Sequence, residues 1–398
     1  MQAIYLDNNS TTQLDPEVAD AMRDCQLARL GNPASQHGWG RQARRLLEDA
    51  REDIAAMLGA RSGYADADRL IFTSGGTESN NLALRGLAGV PPSRLLLSAI
   101  EHPSVLATAE WLAAAGHRVE YVPVATTGTL AVDRLPRDDT PPPRLISVML
   151  ANHETGVLQP LVDVVAWAAE RGCLVHTDAV QAVGKGHVHF RDLGVDSLSF
   201  AAHKFHGPVG IGGLLVRQSV SLDPILFGGF QQLGIRPGTE AVALAVGMQV
   251  ALRKAFLEAA ERQERMQRLR DRLAAQLRSA DAMVQGTAAE RLPHTLNVAF
   301  PGVDRQALVM ALDLAGVACS TGSACASGSS EPSPVLLAMG QPAEVIQGAI
   351  RLSLSARTTS DEVDEAARRI LGIVNDLRQR RPVIHSPLPP RLSSPEPI

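Results

Sequence analysis

Short apolar runs alternate with amphipathic stretches along much of the chain. Stretches typical of helices, such as LVDVVAWAAERG (161–172), lie between runs that favour strands. This alternation predicts an α/β fold with a mostly parallel sheet covered by helices. Because ligands bind beyond the carboxyl ends of the strands in such sheets, we expect a site in the loops that follow the runs. The runs with their loops are RLIFTSGGTES (69–79), SRLLLSAIEHPS (93–104), RLISVMLANHETG (144–156), GCLVHTDAVQAVGK (172–185) and DSLSFAAHKFHG (196–207).

A second region of this kind begins after residue 250. Residues 250–280 predict one long amphipathic helix that leaves the first region. Beyond it, PHTLNVAF and IRLSLS favour strands, and DRQALVMALDLAG and TSDEVDEAARRILGIVNDLRQR favour helices, so we expect a smaller α/β unit. Residues 382–398 are rich in Pro and Ser and predict a disordered tail, with a peptide ligand for a partner as the alternative.

Composition narrows the class of protein. The 398 residues are 45% hydrophobic and 20% charged, as in globular proteins, and the length favours two domains. The net charge of −4 gives no reason to expect nucleic acid as a partner. The chain has no apolar run long enough for a membrane span, and MQAIYLDNNS lacks the blocks of a signal peptide, so we expect a cytoplasmic protein.

The four cysteines predict neither a disulfide framework nor a metal site. None of Cys25, Cys173, Cys319 and Cys325 forms a CxxC pair, and no nearby His completes a zinc spacing. Cys325 lies in the Gly/Ser/Ala-rich tract ACSTGSACASGSSEPS (318–333). Glycine and serine make a chain mobile, and a cysteine outside a core is typically reactive. The tract raises the question of why a thiol should stand on a mobile tether.

Lysine is rare in this chain. Only Lys185, Lys204 and Lys254 occur among 38 Lys and Arg residues, which suggests places where arginine cannot serve. Arginine stays protonated and forms no imine. Lys204, in AAHKFHGP, follows a strand in an apolar setting, where partial burial lowers the pKa of a lysine toward the neutral amine that imine formation needs. A surface lysine at a strand end is the alternative.

The loop FTSGGTESNN is a candidate anion site. A strand runs into Gly75 and Gly76, and Thr77 opens a helix whose N terminus offers unpaired N–H groups and the positive end of a dipole. Phosphate is the usual anion, but the pattern is neither GxGxxG nor a Walker loop, so no nucleotide is implied. A tight turn capped by Thr77 is the alternative.

Two further loops carry a carboxylate and an imidazole. Asp178 ends the apolar strand of VHTDAVQAVGK, where it needs a cationic partner such as a protonated pyridine nitrogen. Gln181, three residues on, could donate to a nearby oxygen. His102, in SAIEHPSV, could stack on a flat cofactor and titrate near neutral pH. The alternatives are a helix-capping Asp178 beside a surface Gln181, and a structural His102.

Taken together, the four loops fit pyridoxal phosphate (PLP), whose enzymes need a Schiff-base lysine and an acid facing the pyridine nitrogen. The wider set of motifs, over residues 3–375, resembles the cysteine desulfurases of the NifS/IscS type, which are fold-type I, class V aminotransferase-like PLP enzymes. The motifs are YLDNNSTT, GNPASQHGWGRQAR, FTSGGTESNNLAL, EHPSVL, ANHETGVLQP, HTDAVQAVGK, AHKFHGPVGIGGL, GIRPGTE, TGSACASGSSEPS and IRLSLSARTT.

The resemblance implies a homodimer with two domains in each chain. The large PLP-binding domain is expected over 15–255, and the small domain over 1–14 and 256–376 with the catalytic cysteine loop at about 318–334. L-cysteine is the implied substrate. A sulfur-acceptor protein or a NifU/IscU-like scaffold for Fe–S cluster assembly is the implied partner.

The resemblance also implies roles for single residues. Lys204 is expected to hold PLP and to remove the α-proton, while Cys325 attacks the substrate sulfur, leaving a persulfide and L-alanine. A mobile tether would let this thiol work in the pocket and deliver sulfur outside it. The expected binding residues are Gly76, Thr77, His203 and the other subunit's Thr239 for the phosphate, Asp178 and Gln181 for the ring, His102 stacked on it, and Asn152 and Arg351 for the substrate carboxylate. A structural ion pair is the alternative for Arg351, and Cys319 is expected to be a core thiol.

The chain departs from the family pattern at two places near the expected site. Ala201 stands where family members often carry Ser or Thr as a phosphate contact, and His153 stands where Asn is usual. These departures bear on PLP affinity and substrate tuning. The competing functions are a selenocysteine lyase or simple β-lyase, and a catalytically silent scaffold protein.

Overall fold

The computed structural model describes residues 3–28, 30–61, 63, 66–137, 141–322 and 331–379. Cys325 and the expected tail at 382–398 lie outside these ranges. No helix within them is both long and apolar enough to cross a membrane. The strands are β1 (Ile4–Tyr5), β2 (Arg69–Thr73), β3 (Arg94–Ser98), β4 (Arg118–Val122), β5 (Leu145–Ser147), β6 (Leu174–Asp178), β7 (Ser197–Ala201), β8 (Gly212–Val216), β9 (Met283–Val284), β10 (Thr295–Ala299), β11 (Val317–Ala318) and β12 (Ala349–Ser353).

Helices cover both units of the chain. They are α1 (Pro16–Leu27), α2 (Gly38–Met57), α3 (Gly76–Leu87), α4 (Pro103–Ala114), α5 (Leu161–Ala169), α6 (Phe190–Leu193), α7 (Val242–Leu257), α8 (Ala259–Leu277), α9 (Arg305–Leu314), α10 (Pro334–Ala338), α11 (Ala343–Gly348) and α12 (Ser360–Gln379). Local sequence explains several starts: the Asp15 side chain caps α1, and the Asp304 side chain caps α9.

A seven-stranded sheet is the centre of the larger unit in the described chain. Its order is β2-β8-β7-β6-β5-β3-β4, and all neighbours are parallel except β8, which is antiparallel to both β2 and β7. Strands β3, β5, β7 and β8 are buried along their whole length, as expected for strands covered on both faces. The predicted α/β fold with a mostly parallel sheet is confirmed.

The smaller unit has an antiparallel sheet in the order β12-β10-β9 and a parallel pair of β1 with β11. Its own apolar core joins Ile4 and Leu6 near the N terminus to residues of β10, β12 and α12. The core thus draws on both chain ends, which supports the expected division at 1–14, 15–255 and 256–376, although that division stays a prediction.

The predicted single helix over 250–280 is wrong. The chain forms α7 and α8 instead, separated at Glu258 (φ −101°, ψ 12°). Helix α7 packs against α1 and α2 of the larger unit, whereas α8 packs against α12 and β10 of the smaller one. The apolar faces of the two helices pack against different cores. The continuous amphipathic pattern in the sequence therefore does not reveal the break between them.

Candidate active site

A cavity of about 740 Å³ lies where the loops after several strands meet the smaller unit. The loops after β3, β5, β6 and β7 supply His102, His153, Gln181 and Lys204. Because parallel strands end at one edge of a sheet, these loops are brought together there, as the sequence predicts. The smaller unit adds the remaining walls, among them Asp7, Asn9, Ser10, Cys319, Ser320, Thr321, Gly322, Glu331, Pro332 and Arg351.

The Lys204 amine is held by the N-terminal segment. Lys204 lies in a single 3₁₀ turn directly after β7, and its Nζ donates to the carbonyl oxygens of Asn9 (2.5 Å) and Ser10 (2.8 Å). These two carbonyls orient the amine at the cavity wall. The side chain therefore faces the cavity in a setting that suits covalent binding of a carbonyl cofactor.

Asp178 ends β6 and is buried. Its Oδ2 accepts from Nδ2 of Asn80 at 2.7 Å, and its Oδ1 accepts from the backbone N–H of Val180 at 2.9 Å. Asn80 lies on α3 and also donates to Ser104 Oγ at 2.9 Å. These neutral donors orient the carboxylate but do not balance its charge, so a protonated pyridine nitrogen would complete the arrangement.

Gln181 is oriented by a second buried lysine. Its Nε2 donates to the Asn9 carbonyl at 3.0 Å, and its Oε1 accepts from Lys185 Nζ at 3.2 Å. Burial holds the pKa of Lys185 well below its usual range, and the charges of Lys204 and Arg351 lower it further. Gln181 is thus a buried member of a polar network rather than the surface residue of the alternative reading.

His102 lies at the start of α4 and lines the cavity. Its Nδ1 accepts from the Ser104 N–H at 3.1 Å, and the His153 ring meets it edge-on with 5.4 Å between centroids. Burial lowers the pKa of His102, with the charge of Asp178 opposing the shift. Burial also holds the pKa of His153 well below its usual range. Both imidazoles are therefore neutral at neutral pH, and His102 can accept a proton.

The N terminus of α3 fits an anion. A Cβ on Gly76 would lie 2.7 Å from Val180 Cγ2, so only glycine allows this close approach. Thr77 is exposed in the first turn and is not the capping residue; the cap position is Gly75, which has no side chain. The alternative of a Thr77-capped turn is therefore not what the structure shows, and the first N–H groups of α3 stay available to a phosphate.

His203 lies beside Lys204 in the 3₁₀ turn. Its Nδ1 is 3.1 Å from Thr11 Oγ1, and burial lowers its pKa to about 4, with the charges of Lys204 and Lys185 adding to the shift. Thr239 is exposed and does not line the cavity of its own chain. Both expected phosphate roles stay predictions.

Asn152 and Arg351 both form hydrogen bonds or ion pairs with other residues of the chain. Asn152 Oδ1 accepts from the N–H groups of Glu154 and Thr155, and Asn152 does not line the cavity. Arg351 lines the cavity and forms an ion pair with Asp7 (Nη2 to Oδ1, 2.8 Å), which is the structural alternative for this residue. A substrate carboxylate would have to share the guanidinium with Asp7, so binding by Arg351 stays a prediction.

Cys319 is the cysteine that lines the cavity among the described residues, and Cys325 lies outside the described residues. Cys319 follows β11, packs against the smaller core and also lines the cavity. Burial raises the pKa of its thiol to about 12, with Asp7 adding to the shift. Cys319 therefore stays protonated, which suits the expected inert core thiol, although it is only partly buried.

Sequence reasoning missed two buried acids beside the cavity. Glu101 Oε1 accepts from the Met149 N–H at 2.7 Å, and burial holds its pKa well above its usual range, with Asp178 adding to the shift. Burial raises the pKa of Glu154 to about 7, against the opposing effects of Ser333 and of the Arg351 and Arg305 charges. Both lie within quoted motifs, EHPSVL and ANHETG, but nothing in a single sequence reveals their burial.

Comparisons with known proteins agree with this geometry. Residues 4–366 match the family model described as Aminotransferase class-V. A cysteine desulfurase of Gluconacetobacter diazotrophicus is 42% identical over 387 residues, covering 96% of each chain. A cysteine desulfurase IscS of Dictyoglomus turgidum is 40% identical, covering 95% of this chain and 96% of its own. A solved structure of a NifS-like protein superposes with a TM-score of 0.86 at 36% identity, covering 94% of this chain and all of its own.

Replacing Glu154 by Gln should change how stability depends on pH. The pKa of Glu154 rises from 4.5 in the unfolded chain to about 7 in the fold, so its favourable contribution is complete below about pH 4.5 and is lost as pH rises through about 7. Each pKa unit is about 1.4 kcal/mol, so the Glu154→Gln variant should gain on the order of 3 kcal/mol relative to the parent between about pH 5 and pH 8.

Urea unfolding of both proteins at the two pH values measures this gain. Neighbouring His153, Arg305 and Arg351 are present in both proteins, so their own effects largely cancel in the difference. Parallel loss of stability in parent and variant would show that Glu154 does not titrate in this range.

Proposed function

The chain belongs to the class-V aminotransferase family and, within it, to the cysteine desulfurases of the NifS/IscS type, and on this premise we propose how its residues carry that reaction. L-cysteine is converted to L-alanine, and its sulfur passes to Cys325 as a persulfide. The observation that carries the proposal is one cavity lined both by Lys204 and by the two flanks of the segment that contains Cys325.

The residues around the cavity fit PLP. Lys204 would hold it covalently, Asp178 would pair with its pyridine nitrogen, and Gln181 would contact its ring oxygen. The N–H groups of Gly76 and Thr77 would bind its phosphate. When bound, PLP supplies an electron sink for the negative charge that develops at the α-carbon of the substrate.

Two side chains that line the cavity, Lys204 and His102, can move protons in this site. The Lys204 amine, held by two carbonyl oxygens, can accept the α-proton in its neutral form. His102 has a lowered pKa, so its neutral ring can accept and return a proton next to the reacting atoms. The loops of the larger unit and the smaller unit enclose this chemistry on opposite sides of the cavity.

Sulfur transfer needs a nucleophile that can reach the sulfur of the substrate. The Cys325 thiolate attacks the substrate sulfur, so that an S–S bond forms, the Cβ–S bond breaks, and its electron pair stays on the carbon skeleton until a proton completes alanine. Cys319 and Gly322 on one flank, and Glu331 and Pro332 on the other, line the cavity. A thiol on the acceptor protein can then take the terminal sulfur by exchange. A scaffold for Fe–S cluster assembly is the acceptor we propose, and the cytoplasmic location stays a prediction from the sequence.

A homodimer would complete the phosphate site. Phe227, Phe230 and Leu233 are 88%, 97% and 78% exposed, an apolar surface that a second copy would cover. The same segment leads into the exposed Thr239, which does not reach the cavity of its own chain. Covering this surface with a partner would bring each Thr239 toward the other subunit's phosphate.

The reaction is tested with the purified protein and L-cysteine. We expect the visible absorption of bound PLP and, with a reductant present, equal amounts of sulfide and alanine. Lys204→Ala should lose the absorption band, and Cys325→Ala should keep the band but lose alanine formation. Lys254→Ala, which removes a lysine paired with Asp15 and Glu17, and Cys25→Ala are the matched controls and should leave both readouts unchanged.

Two results would contradict the proposal. Alanine formation by Cys325→Ala at the parent rate would exclude the persulfide step and favour a simple lyase. A parent protein that binds no PLP would favour the catalytically silent scaffold.

Phe230→Asp should separate the dimer, because burying an unpaired charge in an apolar contact is costly. Sedimentation velocity should show a dimeric parent and a variant at half its mass with weaker PLP binding. Leu314→Asp, at a similarly exposed apolar residue on α9, is the control and should stay dimeric. A monomeric parent would exclude the role of Thr239 across the interface.

Ala201→Ser should tighten PLP binding. The Ala201 side chain ends β7 and lies 3.8 Å from the position of a Cβ on Gly76, so a hydroxyl there would point toward the phosphate cradle. One added hydrogen bond of about 1 kcal/mol corresponds to a roughly fivefold lower dissociation constant. Fluorescence titration of cofactor-free protein with PLP measures it, and an unchanged or higher constant would place the phosphate elsewhere.

A further inference from the structure

The carboxyl group of Glu154 lies between the two flanks of the segment that carries Cys325. On one side, Ser333 Oγ donates to Glu154 Oε2 at 2.6 Å. On the other, a Cβ on Gly322 would lie 2.6 Å from the same Oε2, so the Gly322 backbone packs directly on the carboxyl. Glu154 is completely buried. Two residues that are eleven positions apart thus meet at one oxygen atom.

The contact with Ser333 has a fixed direction. Ser333 Oγ accepts from the Leu336 N–H at 3.0 Å as the N-cap of α10. Its single hydroxyl proton is therefore given to Glu154, which must accept it. The 2.6 Å distance is that of a short hydrogen bond, and a carboxyl oxygen can accept it whether or not the carboxyl is protonated.

Gly322 is held from three directions. Its N–H donates to Ser320 Oγ at 3.2 Å, its carbonyl accepts from Arg351 Nη1 at 3.1 Å, and its Cα faces Glu154. Its φ of +101° and the space at its Cα both require glycine. A side chain here would collide with the carboxyl or move it.

Glu154 is itself fixed to the frame of the cavity. Its N–H donates to Asn152 Oδ1 at 2.9 Å, and Asn152 Nδ2 donates to the Ile100 carbonyl after β3. The second flank makes a further hydrogen bond, in which Arg305 Nη2 donates to the Glu331 carbonyl at 2.6 Å. The charges of Arg351 and Arg305 both act on Glu154, and His153 Nε2 is 3.8 Å from its Oε1.

We propose that Glu154 is a positioning residue for sulfur transfer: its carboxyl joins Gly322 to Ser333 and so fixes the two described flanks of the segment that bears Cys325. The proposal rests on the proposed function of Cys325. Cys325 is three positions after Gly322, so the covalent chain keeps their Cα atoms within about 11 Å of each other. Fixing Gly322 therefore limits where the thiol can be and raises its effective concentration at the substrate.

The test uses the PLP-bound protein and rapid mixing with L-cysteine. Absorbance of the cofactor reports substrate binding, and alkylation with mass spectrometry reports the persulfide on Cys325. We expect Ser333→Ala and Gly322→Ala to slow persulfide formation about tenfold or more, the factor that corresponds to 1.4 kcal/mol, with substrate binding changed less than about twofold. Glu154→Ala should slow persulfide formation to a similar extent. The double variant with Glu154→Ala and Ser333→Ala should be little slower than Glu154→Ala alone.

Conservative and matched variants separate positioning from loss of stability. Glu154→Gln keeps an oxygen that can accept from Ser333 and should retain most of the persulfide rate. Thr359→Ala removes a hydroxyl cap from α12 (Thr359 Oγ1 to the Glu362 N–H, 3.2 Å), as Ser333→Ala does from α10, but away from the cavity. Gly340→Ala adds a side chain at a positive φ of +66° in open space. Both controls should form persulfide at the parent rate.

Parent-like persulfide rates in Ser333→Ala and Gly322→Ala would overturn the proposal, as would equal slowing in the two controls. A parent that forms no persulfide would contradict the proposed function instead. In that case, the effect of the Glu154 contacts on the two flanks is measured without substrate, from the rate at which iodoacetamide labels Cys325. A labelling rate that changes by more than about threefold in Ser333→Ala and Gly322→Ala, but not in the controls, would support the positioning role of Glu154. Equal labelling rates in all proteins would overturn it.

Discussion

The hydrogen bonds of Asn9 hold the two units of the chain together at the cavity. Its carbonyl accepts from both Lys204 Nζ and Gln181 Nε2, which belong to the larger unit. Its side chain contacts Thr295 Oγ1 and His294 Nε2, and its N–H donates to Ser353 Oγ, all in the smaller unit. Because Asn9 is buried, each of these polar groups needs its partner, and losing one would leave others unsatisfied. The position of Lys204 thus depends on a residue near the N terminus, 195 positions away in the sequence.

Burial in the same region sets the protonation of the site. Lys185, His102, His153 and His203 all have lowered pKa values, whereas Glu101 and Glu154 have raised ones, with burial as the first cause in every case. Each shift favours the neutral form. Opposite shifts in bases and acids reduce the charge enclosed near the cavity.

The sheet and the loops that meet at the cavity could be predicted from sequence because their signals are local. Apolar runs ending in SGGT, EHP, TDAVQ and AHK give both a strand and the residue that follows it, and strand direction then brings the loops to one edge. The break at Glu258 could not be predicted, since no Gly or Pro marks it and two different cores determine it. The contacts of Glu154 and Asn9 could not be predicted from sequence for a related reason, because they join residues that are far apart in the chain.

Arg351 connects the N-terminal segment that holds Lys204 to one flank of the segment that contains Cys325. Its Nη2 donates to Asp7 and to Ser10 Oγ, while its Nη1 donates to the carbonyls of His153 and Gly322. The guanidinium is therefore bound on one side to the segment that holds Lys204 and on the other to the flank that precedes Cys325. These contacts use the four N–H donors of Nη1 and Nη2, and Nε has no partner among the described residues. A substrate carboxylate that made a two-pronged contact with Arg351 would therefore compete with at least one of these partners. Binding at this residue would thus be coupled through shared hydrogen bonds both to the segment that holds Lys204, the proposed acceptor of the α-proton, and to one flank of the segment that contains Cys325.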